Sequence, residues 1–345
     1  MIFYYLLGLL IFILLINKFF LKKGILINET GDLHQKFSSK STVPLTGGIF
    51  IFLGFFYFLN DGIFSFIFFS FIILSLGILS DLKLIKSAKK KLLLQILVIL
   101  SYTVFNDVQI SDTRVIFLDL ILKETYINYI FVSFCILIII NGSNFIDGMN
   151  TLCIGYYLLI ISIIYYLLYN NVLIVGNISV FYILLVISLA FVLNLKNKFF
   201  LGDSGAFLLG FSFSIFLINI YKWNPHISPF FIILLLWYPS YENLFSIVRK
   251  NILRKSAMYP DAKHVHQLIY FYIKKKYKFT AYIANIFTGQ IINFYNLLIM
   301  FFALNFTSNS KILIYLILFN ITMYNIIYFK FFKFKYKKNF DRLNK

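Results

Sequence analysis

Charge is what this sequence has least of. Of its 345 residues only 13% are charged, and acidic residues number 13 against 32 Lys and Arg. Soluble domains carry about a quarter charged residues. With 61% hydrophobic residues and a mean hydropathy of +0.85, the chain lacks the polar groups to cover a water-exposed fold. The bilayer must therefore be its main solvent, and lipid admits only helices or a closed barrel. The apolar runs are long and continuous, not dyad-alternating segments of about ten residues, which excludes the barrel. Cysteine is nearly absent too. Cys135 and Cys153 both lie in apolar runs, where they read as small buried side chains, and nothing supports a disulfide. The opening segment IFYYLLGLLIFILLINKFFL lacks a basic n-region and a small-residue cleavage site, so it is expected to stay as a transmembrane helix. No repeat of 20–50 residues and no appended soluble stretch is visible. The expectation is one all-α polytopic membrane domain over residues 1–345.

What is present is a series of about ten to eleven candidate spans, near 2–21, 46–60, 62–79, 92–106, 127–140, 151–169, 172–193, 205–221, 228–248, 281–304 and 311–331. The second and fifth look short for a bilayer. Basic residues are unevenly shared between the connections. Twenty-seven Lys and Arg follow odd-numbered spans or lie in the tail, while Arg114, Lys123, Lys222 and Lys311 lie on the opposite side. The positive-inside rule then puts the N-terminus outside and the C-terminus in the cytoplasm. It also explains the net charge of +19 without a nucleic-acid partner, since the basic residues alternate with spans and form no single patch.

Five polar or glycine-rich stretches interrupt the apolar chain. They are HQKFSSKSTVPLTGG (34–48), LSDLKLIKSAKKKLLLQ (79–95), NGSNFIDGMN (141–150), NLKNKFFLGDSGAFLLG (194–210) and PDAKHVHQ (260–267). All five fall on the expected cytoplasmic side. Ionisable residues at membrane depth are costly and mark function by default. Each also has a plain structural explanation. Asp147 suits an N-cap for the helix after it. Asp203, flanked by Gly202 and Gly205, suits a turn before a helix. Asp81 suits a salt bridge to Lys83. Lys89, Lys90 and Lys91 suit a membrane-surface charge run. His264 and His266, two residues apart, would not share a helix face, although an extended loop would let both reach a phosphate. Taken together, three carboxylates from three loops on one face, with Lys and His nearby, suit Mg²⁺ and a diphosphate.

In that order, the five stretches resemble the polyprenyl-phosphate N-acetylhexosamine-1-phosphate transferases, the superfamily of the undecaprenyl-phosphate GlcNAc-1-phosphate and phospho-MurNAc-pentapeptide transferases. The resemblance spans roughly residues 34–267. NFIDGMN and FLGDSGAFLLG carry most of it, and VPLTGG and the HVH loop support it. It implies that undecaprenyl phosphate attacks the β-phosphorus of a UDP-N-acetylhexosamine, giving polyprenyl-diphospho-sugar and UMP. The site would lie on the cytoplasmic face of a bacterial inner membrane, built from loops near 22–47, 80–91, 141–150, 194–204 and 249–280. The implied catalytic residues are Asp81, Asp147 and Asp203, with Asp203 and Asp81 holding Mg²⁺, or Mn²⁺ in its place. Lys40, Ser80, Asn144, Asn194, His264 and His266 would bind substrate, and Lys91 matches weakly. A homodimer and a role in an O-antigen, capsule or other envelope glycan are family-level expectations. The chain departs from the pattern at Ser80 and Asn150, where the family commonly has Asp, and at Gln267, where it often has His. A polytopic transporter and a binding-only family member are the rival readings.

Overall fold

The computed structural model of the protein describes residues 2–28, 42–56, 64–176, 179–252 and 263–343. It is 80% helical, and no strand forms among the described residues. The helices are α1 (Ile2–Lys23), α2 (Gly47–Phe56), α3 (Phe64–Asp81), α4 (Ala88–Phe105), α5 (Ile116–Leu122), α6 (Thr125–Ile146), α7 (Leu152–Tyr169), α8 (Val180–Leu195), α9 (Gly202–Trp223), α10 (Pro229–Leu235), α11 (Trp237–Ile252), α12 (Val265–Tyr277), α13 (Ala281–Ala303) and α14 (Ser310–Leu343).

Every expected apolar span coincides with a helix, but the helices differ in reach. Among the described residues seven are long and apolar enough to cross a membrane: α1, α3, α6, α7, α9, α13 and α14. An eighth crossing forms if α10 and α11, bent by 72° at Leu236, count as one broken span. The remaining three expected spans fall on α2, α4 and α8. The apolar helix α8 is 16 residues long and the described part of α2 has 10 residues. Helix α4 has 18, but Lys89, Lys90 and Lys91 occupy its first turn. The fifth span, read as short, is the 22-residue α6.

Local chemistry sets the helix ends. Ser228 accepts a hydrogen bond from the Phe230 N–H with Pro229 at the first helical position, which starts α10. Thr280 accepts from Ile283 N and starts α13. Helix α1 ends in Lys22 and Lys23, which complement its dipole, followed by Gly24 at φ +65°.

Helix α9 is the axis of the bundle. Residues Ser204–Leu217 are buried without interruption, and α2, α3, α6 and α7 pack around it. Gly77 of α3 lets that helix touch α9, since a Cβ there would sit 2.2 Å from Ser204 Cα. The approach brings the end of α3 against the start of α9. At the other end of the bundle Arg114 ties three connections together, donating to the carbonyls of Ser308 and Ile227 at 2.9 and 3.1 Å and to Ser310 Oγ at 3.0 Å. The described parts of the polar stretches converge at the end opposite Arg114.

Candidate active site

The core of the site is a joint between α3, α4 and α9. Asp81 is the last residue of α3, and its carboxylate accepts the first N–H groups of α9, from Asp203 at 2.9 Å and from Ser204 at 3.1 Å. Helix α9 has no side-chain cap of its own, and Asp81 supplies one from another helix. Gly202, at φ +68°, makes the left-handed turn that brings these donors to Asp81. Asp203 then projects from the same turn. Its Oδ2 accepts from the Ser80 hydroxyl and from Lys91 Nζ at 3.1 Å, while Lys91 also donates to Ser80 Oγ at 2.8 Å. Ser80, where the resemblance expects a carboxylate, thus bridges a lysine and an aspartate. Lys91, expected in a surface charge run, reaches into the site.

The stretch NGSNFIDGMN is mostly helix. Residues 141–146 form the last turns of α6 because their polar groups find partners there. Asn141 donates to Gln95 Oε1 at 3.1 Å, and Ser143 bonds Tyr157 Oη at 2.5 Å. Asp147 is the C-cap of α6 and not the N-cap of α7, a position held by Thr151 at φ 64°. Its carboxyl lies close enough to Asp81 and Asp203 to feel both charges. Burial, with the two neighbouring carboxylates second, pushes Asp147 well above the usual carboxylate range, and a hydrogen bond from the Gly202 N–H offsets this only in part. Asn144, on the last turn of α6, is half-buried beside it.

An amide network braces this turn from below. Thr151 N–H donates to Asn194 Oδ1 at 2.7 Å, and Asn194 Nδ2 donates to Phe199 O at 3.0 Å. Asn150 donates to Asn197 Oδ1 at 2.5 Å, and its N–H meets Asn285 Oδ1 at 2.7 Å. Asn293 of α13 donates to Thr151 O at 3.0 Å. Asn194, expected to orient substrate, and Asn150, in a place expected to be acidic, are both 8% exposed or less and hold loop to loop. The VPLTGG stretch joins the same frame, through Gly47 N–H to Phe200 O at 3.0 Å and Phe200 N–H to Pro44 O at 2.9 Å.

The histidines form the second half of the site. His264, extended at φ −70° and ψ 150°, precedes α12, and His266 lies in its first turn. Their rings stack with centroids 5.6 Å apart and planes 10° from parallel, so the two-residue spacing does bring them side by side. Phe145 packs against His264 at 5.1 Å. His266 is fully buried against Gly148, where a Cβ would stand 2.6 Å from Nε2, and neither ring nitrogen has a hydrogen-bond partner among the described residues. Burial pushes its pKa down to about 3, so the ring is neutral.

One functional candidate escaped the sequence reading. Glu242 of α11 is fully buried, with Oε1 2.8 Å from His264 Nδ1 and Oε2 accepting from Tyr324 Oη at 2.8 Å. The signal was there: it is the single carboxylate in the span expected at 228–248. Of the expected residues, Ser80, Asp81, Asp147 and Asp203 come together, and His266 joins them across the 147–148 turn. Asn194 braces the frame, and Lys40 lies outside the described residues.

The acidic half offers only oxygen donors, the kind a hard divalent cation takes. Among the described residues no three His, Cys, Asp or Glu gather closely enough to hold a metal unaided. The donor set therefore fits an ion that draws its other ligands from water and substrate phosphates, as Mg²⁺ usually does. The mutual repulsion raising Asp147 is the charge imbalance such an ion would relieve.

Comparison with known proteins bears on the same segment. Residues 63–221, from just before α3 to the last turns of α9, match the model described as "Glycosyl transferase family 4". This is the family of polyprenyl-phosphate hexosamine-1-phosphate transferases, which are generally dependent on a divalent metal. No curated protein matches the chain.

Proposed function

From the match of residues 63–221 to glycosyl transferase family 4, we propose that the protein transfers an N-acetylhexosamine-1-phosphate from a UDP-sugar to undecaprenyl phosphate. The site would face the cytoplasm at a bacterial inner membrane. The observation that carries this reading is the meeting of Asp81, Asp147 and Asp203, from three separate helix ends, with Lys91 beside them and His266 packed against the 147–148 turn.

In the proposed reaction an oxygen of the lipid phosphate attacks the β-phosphorus of the UDP-sugar. A new P–O bond forms, the bond from the β-phosphorus to the bridging oxygen breaks, and UMP leaves with the electron pair. A phosphate monoester with a second pKa near 6 is largely dianionic at neutral pH, so the nucleophile needs little help from a base. Positioning and charge stabilisation then supply most of the catalysis. Asp203 and Asp81 are assigned to Mg²⁺; on Asp203 the bonds from Ser80 and Lys91 both fall on Oδ2 and not on Oδ1, the oxygen that would face the ion. That ion, when bound, would neutralise charge on the diphosphate and the departing UMP. Lys91, freed from Asp203, would meet a phosphate. Ser80 would keep Lys91 and Asp203 in register without adding charge. Asp147 would anchor the donor together with Asn144, and the neutral His266 would donate or accept one hydrogen bond at the donor. Glu242 fixes the ring of His264 through Nδ1.

The test is transfer of label from UDP-GlcNAc or UDP-GalNAc to undecaprenyl phosphate, with and without Mg²⁺. Metal-dependent labelled lipid with equimolar UMP supports the reading. The absence of lipid product with any UDP-N-acetylhexosamine, alongside solute flux in vesicles, favours a transporter.

A further inference from the structure

The basic residues at the end of α12 and the far end of α14 lie at one height. Helix α14 starts at Ser310, beside Arg114, and Lys330 comes twenty residues later. At 1.5 Å per residue that is about 30 Å, the thickness of a hydrocarbon core. Lys330 and Lys333 are exposed there. Helix α12 ends in Lys274, Lys275 and Lys276, followed by Lys278, all exposed, and the membrane-spanning α13 begins at Ala281. Both sets therefore sit where a span meets its interface.

The two helices pack on each other through aromatic rings. Tyr272 lies 4.7 Å from Phe331 and 5.0 Å from Phe334. Lys275 Nζ sits 5.3 Å over the Phe334 ring, crossing from one helix to the other, and Lys276 sits 5.2 Å over Tyr272. Lysines around an aromatic floor are what an interfacial belt looks like. Between Asp261 and Asp341 the sequence contains no acidic residue, so this surface has no counter-charge of its own in that stretch.

We infer that the α12–α14 surface, through Lys274, Lys275, Lys276, Lys278, Lys330 and Lys333, binds the headgroups of anionic phospholipids in preference to zwitterionic ones. A lipid phosphate at this height finds several ammonium groups whose stems are already fixed on rings. A zwitterionic headgroup brings its own cation and gains little from them. The inference stands apart from the proposed reaction, since it needs neither UDP-sugar nor metal. It does concern the helix whose first turn carries His266.

The experiment is native mass spectrometry of the full-length protein in detergent, titrated with phosphatidylglycerol or phosphatidylcholine. Each juxtamembrane lysine contributes about fivefold in affinity for an anionic surface. The triple variant Lys275→Gln, Lys276→Gln, Lys330→Gln is expected to weaken phosphatidylglycerol binding by up to about 100-fold. The second set, Lys274→Gln, Lys278→Gln, Lys333→Gln, is expected to do the same, so that one misfolded variant does not decide the matter. Lys311→Gln, at the opposite end of α14, is expected to change nothing. Equal binding of the two lipids, undiminished phosphatidylglycerol binding in both triple variants, or displacement of the lipid by millimolar inorganic phosphate would overturn the inference.

Discussion

Replacing Glu242 by alanine tests the frame of the histidine half-site. The carboxylate is fully buried and serves two partners, His264 Nδ1 and the Tyr324 hydroxyl, each at 2.8 Å. The first joins α11 to the start of α12, and the second joins α11 to α14. Hydrogen bonds to a charged group contribute about 1.5–3 kcal/mol each, so losing both from one coupled network costs about 3–5 kcal/mol. In a chain of this length 1 kcal/mol corresponds to roughly 1–2 °C in Tm, extending the trend for shorter domains. Glu242→Ala is therefore expected to melt roughly 3–10 °C lower in detergent, followed by intrinsic fluorescence. Glu242→Gln keeps an acceptor for His264 and a group for Tyr324, and should recover more than half of that loss. A Glu242→Ala protein that melts like the parent would refute the reasoning, because the carboxylate would then hold nothing together.

Asp147→Asn is expected to stabilise the metal-free protein. A carboxyl whose folded pKa is raised contributes stability at acid pH that is lost as pH rises through that pKa, so in EDTA the gain in Tm should grow from acid towards neutral pH; a gain confined to acid pH would contradict this. His266 works in the opposite direction. Its pKa is depressed to about 3, so stability falls as pH drops below about 6.5, by up to about 1.4 kcal/mol per unit, and His266→Gln should flatten that slope in pH-dependent melting curves. Gly148→Ala puts a Cβ 2.6 Å from His266 Nε2, and overpacking of about 1–3 kcal/mol predicts a rise of about 5- to 150-fold in the KM for the UDP-sugar, with kcat affected less.

The helices were legible in the sequence because each apolar run needs a bilayer or a core, and length together with the placement of charge separates spans such as α3 and α7 from α4, which is as long but starts with three lysines. The convergence of the described parts of the polar stretches on one end was legible through the distribution of Lys and Arg. What stayed hidden is how polar atoms pair across helices. Asn141 and Ser143 look like loop formers until Gln95 and Tyr157 are seen to satisfy them within α6. Asp81 reads as a surface ion pair until α9 is seen to lack a cap of its own. Asn194 and Asn150 look like ligands or lost carboxylates, and their partners come from 43, 47 and 135 residues away in sequence. Glu242 could have been found, since the cost of a carboxylate in an apolar span applies to it as much as to Asp147.

In the proposed reaction Asp203 sits at the chemical centre of a sugar-1-phosphate transferase. That role is tested most directly by comparing the parent protein with Asp203→Asn in one assay, following label from a UDP-N-acetylhexosamine into undecaprenyl diphospho-sugar. Metal-dependent lipid product and equimolar UMP are expected from the parent, with a loss of at least about 100-fold in Asp203→Asn and membrane insertion intact. Near-normal turnover in Asp203→Asn would contradict that role.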